Sequence, residues 1–175
     1  MYSARQISAD ALSSFDTNDN KLPILVERLC NKYGLSLSEQ QRSRVIINEV
    51  IRSRGILDYI IEKCSSKKIN LIQPELRSIL RIGCYELIFD DLVPDFAAIH
   101  SAVELGKTSI NKKSGSMVNA VLRNIQRKQK QDPTWVQSII NNNVELAYPS
   151  WLVKKWKKQF GLTITEKLCV SFLNK

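Results

Sequence analysis

Apolar residues return every three or four positions along nearly the whole chain, and no convincing stretch alternates strictly between apolar and polar. That spacing belongs to helices that each bury one face, so the sequence predicts an all-α protein. Ser3 is placed to cap a first helix whose face carries Ile7, Ala11, Leu12 and Phe15, ending before the polar stretch from Asp16 to Lys21. Pro23 starts a short helix showing Leu22, Leu25, Val26 and Leu29, which Gly34 stops. Ser36 and Glu39 have capping-box spacing ahead of a helix with Val45, Ile46, Val50 and Ile51 on its core face, running up to Gly55. Ile56 to Cys64 adds Leu57, Ile60 and Ile61. Pro74 then opens the richest stripe, Leu76, Ile79, Leu80, Cys84, Leu87 and Ile88, predicted to be the most buried helix, with Gly83 on the same face admitting a close neighbour.

Val93-Pro94 breaks the pattern and restarts it as a helix with Phe96, Ile99, Ala102, Val103 and Gly106. A polar loop from Ser109 to Gly115 leads into Met117, Val118, Val121, Leu122 and Ile125. Asn119, an amide flanked by core residues, is predicted to cap a neighbouring loop from a buried position. After Lys130 the composition changes, and all three tryptophans, Trp135, Trp151 and Trp156, fall in short amphipathic segments too small to form a core alone. The expected division is residues 1–128 as one domain and 129–175 as the truncated beginning of a second, docked on something else. The end at Ser171-Phe172-Leu173-Asn174-Lys175, with no polar tail, reads as a longer protein cut short.

Charge adds a location to this picture. Residues 1–106 carry 13 basic and 14 acidic side chains, whereas residues 107–131 hold Lys107, Lys112, Lys113, Arg123, Arg127, Lys128 and Lys130 with no acid. A localised excess of cations on a folded surface suits a polyanion, because each phosphate neutralised releases counterions. The plain alternative is a solvated, lysine-rich helix face. No apolar run approaches the roughly 20 residues needed to span a bilayer, and Met1-Tyr2-Ser3-Ala4-Arg5 leads into a polar amphipathic pattern without the apolar core of a secretory signal. A cytoplasmic protein with no membrane association is expected.

Metal and acid–base chemistry find little support. Cys30, Cys64, Cys84 and Cys169 are far apart on apolar stripes and read as buried free thiols, and His100 is the only histidine. Asp90, Asp91, Glu62 and Glu104 have no obvious partner for proton transfer, and His100, with no nucleophile nearby in sequence, reads as a half-exposed helix residue. No catalytic and no metal-binding residue is assigned.

Two stretches resemble the second half of the NusB antitermination family: Glu75-Leu76-Arg77-Ser78-Ile79-Leu80-Arg81-Ile82-Gly83-Cys84-Tyr85-Glu86-Leu87, and Ile99-His100-Ser101-Ala102-Val103-Glu104-Leu105-Gly106-Lys107 after Val93-Pro94. Met117-Val118-Asn119-Ala120-Val121-Leu122-Arg123 resembles that family's Val-Asn-Gly-Val-Leu signature. The last block and Tyr2-Ser3-Ala4-Arg5-Gln6 are closer to the RsmB (Sun, Fmu) rRNA cytosine-C5 methyltransferases, which carry a NusB-like domain before their catalytic domain. Tyr148-Pro149-Ser150-Trp151-Leu152 looks like the Pro-x-Trp-Leu segment of the linker domain in those enzymes. The chain departs from the pattern at His100, where the family usually has Asn, at Met117, where NusB proteins have an aromatic, and at Ala120, which replaces a Gly.

The resemblance implies a NusB-like helical bundle with a short helical extension, and a parent enzyme that binds S-adenosylmethionine in a separate domain. None of the six glycines here forms a cofactor loop. The family's nucleophilic cysteine follows a proline, and here the cysteines follow Leu, Lys, Gly and Leu. The sequence reading is therefore a non-catalytic RNA-binding portion that positions the enzyme on small-subunit rRNA through Arg5, Lys107, Lys112, Lys113, Arg123 and Arg127, with Lys112 and Lys113 reaching phosphates from the loop. Its partners are ribosomal RNA, the missing catalytic domain, and a ribosomal protein or a second copy. The rivals are a free-standing antitermination factor and a helical protein-interaction module.

Overall fold

A computed structural model describes residues 2–17 and 21–173. Its helices are α1 (Ala4–Thr17), α2 (Leu22–Tyr33), α3 (Leu37–Arg52), α4 (Arg54–Ser65), α5 (Pro74–Ile88), α6 (Asp95–Ser109), α7 (Lys112–Gln131), α8 (Trp135–Asn142) and α9 (Ser150–Leu173). Short 3-10 turns lie at Ile69–Leu71 and Val144–Ala147. No strand occurs among the described residues. Among the described residues no helix is long and apolar enough to cross a membrane.

The predicted stripes form one core. α5 runs through it and packs on α1, α3, α4, α6 and α7. A Cβ at Gly83 would stand 2.7 Å from Leu122 Cδ1 and 2.9 Å from Ala102 Cβ, so that glycine lets α6 and α7 close on α5. Gly106 and Gly115 do the same for the α6–α7 crossing, where a Cβ on Gly106 would lie 3.2 Å from the Gly115 Cα. Four ends follow the sequence: Pro23 in the first turn of α2, Gly34 left-handed at its end, Ser36 accepting from the Glu39 amide at 3.3 Å, and Pro74 opening α5. Only half of the capping box forms, because the Glu39 carboxylate instead accepts from the Ala4 amide and satisfies the start of α1. The four cysteines are buried and free.

Several expectations fail for identifiable reasons. Gly55 does not end α3; the break is at Ser53, and Gly55 sits in the first turn of α4. Its missing side chain is needed there because a Cβ would stand 2.0 Å from the Leu146 carbonyl oxygen. Phe96 and Val45, placed on core faces by spacing alone, are 70% and 47% exposed. Phe96 lies just outside the buried arc of α6, and Val45 lies almost opposite the buried Ser43, Ile46, Ile47 and Val50 of α3 at about 100° per residue. Asp16 does not begin a polar loop, since α1 continues through it.

Asp16 is instead the buried centre of an ion cluster. Its side chain is 2% exposed and accepts from Arg54 (2.9 Å), Arg77 (2.8 Å) and Arg81 (2.7 Å). Arg81 also forks onto Asp58, at 2.6 and 2.8 Å. Burial opposes the charge of Arg81, but Asp58 and Asp16 outweigh it and hold its pKa above the ordinary arginine value. A second cluster joins the buried Glu86 to Arg5 (2.8 Å) and Arg42 (3.0 Å), with Arg42 also on Asp90. These pairs tie α1, α3 and α4 to α5.

The segment after α7 packs on the bundle through Trp135, Val136, Ile139, Ile140, Leu146 and Ala147. α9 is kinked at Gly161 (φ 78°) and is tied to the preceding turn by the Tyr148 hydroxyl, which donates to the Cys169 carbonyl at 2.9 Å.

Two outcomes follow. Asp16→Ala, which leaves three guanidinium groups short of a counter-charge, is expected to lower stability by about 3 kcal/mol, read as a fall in the urea midpoint. Gly55→Ala is expected to push Leu146 off α4 and speed proteolysis around residues 143–149, while the bundle keeps its helical circular dichroism. Unchanged cleavage would show that the turn is not seated there.

Candidate nucleic-acid interface

α7 positions most of the basic segment, and it starts earlier than the sequence suggested. Asn111 accepts from the Ser114 amide through its side chain at 2.9 Å, so the cap is Asn111 and the connection from α6 shrinks to Ile110 and Asn111. Lys112 and Lys113 therefore stand in the first turn of a helix, not in a loop, and that turn contains no acid. The reason is Gly115: it is buried against α6 and serves helix packing, not chain reversal.

One side of α7 buries Val118, Val121, Leu122 and Ile125. The other exposes Lys112, Ser116, Asn119, Arg123 and Lys130, spaced three, four and seven residues apart and so aligned along one face, with Arg127 beside them. Asn119 is exposed, which corrects its expected role as a buried cap. The capping amide is Asn124, which donates to the Cys64 carbonyl at 2.9 Å and locks α7 to the end of α4. Ser116 and Asn119 were missed as surface groups, although their register with Lys112 and Arg123 would have found them.

The named cations fall into two sets. At one end, Lys107 lies over the start of α7, since a Cβ on Gly115 would meet its Cγ at 2.3 Å. Its ammonium pairs with Glu104 at 2.7 Å, a contact that lowers the Glu104 pKa. Arg5 comes to the same side of the molecule: α1 meets α6 where Ser109 donates to Gln6 at 3.1 Å. A cleft of about 460 Å³ there is walled by Tyr2, Arg5, Gln6, Ser101, Glu104 and Thr108. Arg5 is not a free cation, however, because Glu86 holds its Nε. At the other end Arg123 donates to Gln126 (3.0 Å), Gln126 donates to Asp95 (2.9 Å), and Arg127 donates to Asn124 (3.0 Å). Lys112 to Arg127 spans about 22 Å of helix at about 1.5 Å per residue.

No group of three or more His, Cys, Asp or Glu that could hold a metal occurs among the described residues. Burial raises the Cys64, Cys84 and Cys169 thiols, which disfavours the thiolate. His100 is exposed.

The fold and this face define a class: an all-helical bundle with a basic helix on its surface. Residues 2–127 match the NusB family, and the chain belongs to it. It is 30% identical over 173 residues to the probable ribosomal RNA small subunit methyltransferase B of Synechocystis sp., covering 98% of this chain and 39% of that protein. The corresponding protein of Bacillus subtilis is 29% identical over 168 residues, 95% of this chain and 37% of its own length. The chain thus spans less than two-fifths of these relatives. The transcription antitermination protein NusB of Ruminiclostridium cellulolyticum is 33% identical over 95 residues, 54% of this chain and 66% of that protein. A chain in a crystal structure of antitermination factors NusB and NusE in complex with dsRNA shares the fold, with TM-score 0.66 and 24% identity over 71% of this chain and 94% of that one. Another, from the crystal structure of a plectonemic RNA supercoil, gives TM-score 0.69 at 23% identity over 74% of this chain and 95% of that one.

The first turn of α7 offers a test of what its lysines are for. Cations at a helix N-terminus oppose the dipole, so Lys112→Gln with Lys113→Gln is expected to raise stability slightly, by about 0.5 kcal/mol, in urea unfolding. A loss of stability would mean that the pair serves the fold.

Proposed function

We propose that this chain is the RNA-binding, non-catalytic N-terminal portion of a ribosomal RNA cytosine-C5 methyltransferase, and that it positions the enzyme on small-subunit rRNA. The observation that carries the reading is the unbroken exposed stripe on α7, with Lys112, Lys113, Arg123 and Arg127 lacking an acidic partner among the described residues. Lys107 and Arg5 add positive charge toward the α6 and α1 end, although each is already paired with a carboxylate, Glu104 and Glu86. Phosphate contacts of this kind hold and orient a nucleic acid without reading its sequence. The relatives' names supply the enzyme class, and their extra length leaves room for the domain that would bind S-adenosylmethionine and carry the nucleophile. A cytoplasmic location goes with that role.

A protein partner is the second reading, with a ribosomal protein or another copy of the chain as the occupant. It is favoured by Phe89, Leu92 and Phe96, exposed together around the α5–α6 connection, Leu92 at 86%.

The RNA reading is tested by anisotropy with labelled single-stranded RNA at several salt concentrations. With four phosphate contacts the slope of log affinity against log salt is expected near −3, from roughly −0.7 per contact. Replacing Lys112, Lys113, Arg123 and Arg127 by Gln is expected to flatten the slope and weaken unrelated RNAs alike, with the melting temperature nearly unmoved. Equal binding by parent and variant would refute it and leave the protein-partner reading.

A further inference from the structure

The end of α4 lies against the second half of α7, although the two are about sixty residues apart in sequence. The Asn124 side chain donates to the Cys64 carbonyl, one of the last in α4, at 2.9 Å. Arg127 donates to the same Asn124 side chain at 3.0 Å, which sets its guanidinium beside the end of α4. Lys63, Lys67 and Lys68 emerge at this same end, all exposed. With Tyr59, Glu62 and Ser66 they wall a concavity of about 280 Å³.

These lysines belong to the half of the chain whose total charge is balanced, so composition hides them. We infer that the RNA surface does not stop at the end of α7 but turns onto the close of α4, where Lys63, Lys67 and Lys68 take up further backbone phosphates beside Arg127. The inference rests on the RNA reading of α7 and extends its path. The one acid in the concavity, Glu62, is already engaged: it accepts from the Ile69 amide at 2.8 Å and from Lys68 at 3.3 Å. Lys63 is steadied over the Tyr59 ring, 5.3 Å from its centre. Three cations against one committed carboxylate leave a net positive hollow of a size to seat a phosphate. A lysine near the end of a helix also complements its dipole, but Lys67 and Lys68 lie past the last residue of α4, Ser65.

The test uses the whole chain, poly(U) RNA and a salt titration of anisotropy. With these three contacts added to the four on α7 the parent slope is expected near −5, and Lys63→Gln, Lys67→Gln and Lys68→Gln together are expected to bring it back to about −3, from roughly −0.7 per phosphate. Lys21→Gln, Arg28→Gln and Lys32→Gln at and along α2, the same loss of charge elsewhere, are expected to leave the parent slope unchanged within error. Far-ultraviolet circular dichroism checks that both variants fold. If the first triple variant behaves like the second while the α7 substitutions abolish binding, the extension is wrong and the α7 reading stands. Equal losses from both triples would mean that net charge alone matters, which also overturns the extension. A parent chain with no salt-dependent binding removes both.

Discussion

Asp16 constrains more of this molecule than any single apolar contact does. Three guanidinium groups reach it from α4 and α5 while it sits on α1, and its side chain is almost wholly out of water. A charge in that position is tolerable only if its partners are held in place, and holding them fixes how three helices meet. Glu86 repeats the arrangement on the opposite flank of α5, drawing in α1 and α3. The apolar stripes decide that the helices collapse together; the carboxylates decide their register.

The basic face depends on that frame. α6 and α7 close on α5 at Gly83 and on each other at Gly106 and Gly115, where a side chain would hold them apart. With its inner side committed to the core, α7 has one direction left for Lys112, Asn119, Arg123 and Lys130. Packing and binding therefore divide the helix between them, and substitution on the outer side leaves the inner side intact.

Much of the fold was legible in the sequence because burial leaves a period. The stripes of α4 and α5, the proline starts and the Gly34 stop each have a local cause. What was not legible comes from distance. Asp16 and Arg81 are 65 residues apart, and nothing in the neighbourhood of either says that they meet. Gly55 and Gly115 looked like punctuation because a glycine that ends a helix and one that admits another backbone read alike. The same holds for the site. The acid-free run from Lys107 to Lys130 was visible as composition, whereas the face it forms needed the true start of α7, and the nearness of Lys63 needed the bond from Asn124.

The Glu39 carboxylate on the Ala4 amide and the Arg81 guanidinium on Asp16 also set an order in time. α1 leaves the ribosome before α3 and α5, and the groups that complete it lie 35 and 65 residues further along. At roughly 5–20 residues per second of synthesis, the arginine follows its aspartate by about 3 to 13 s. During that interval the first helix can pack its apolar face on α2 and α3 and pair its carboxylate with Arg54, but the two arginines of α5 are still missing. The ion cluster around Asp16 is thus completed only when α5 has emerged.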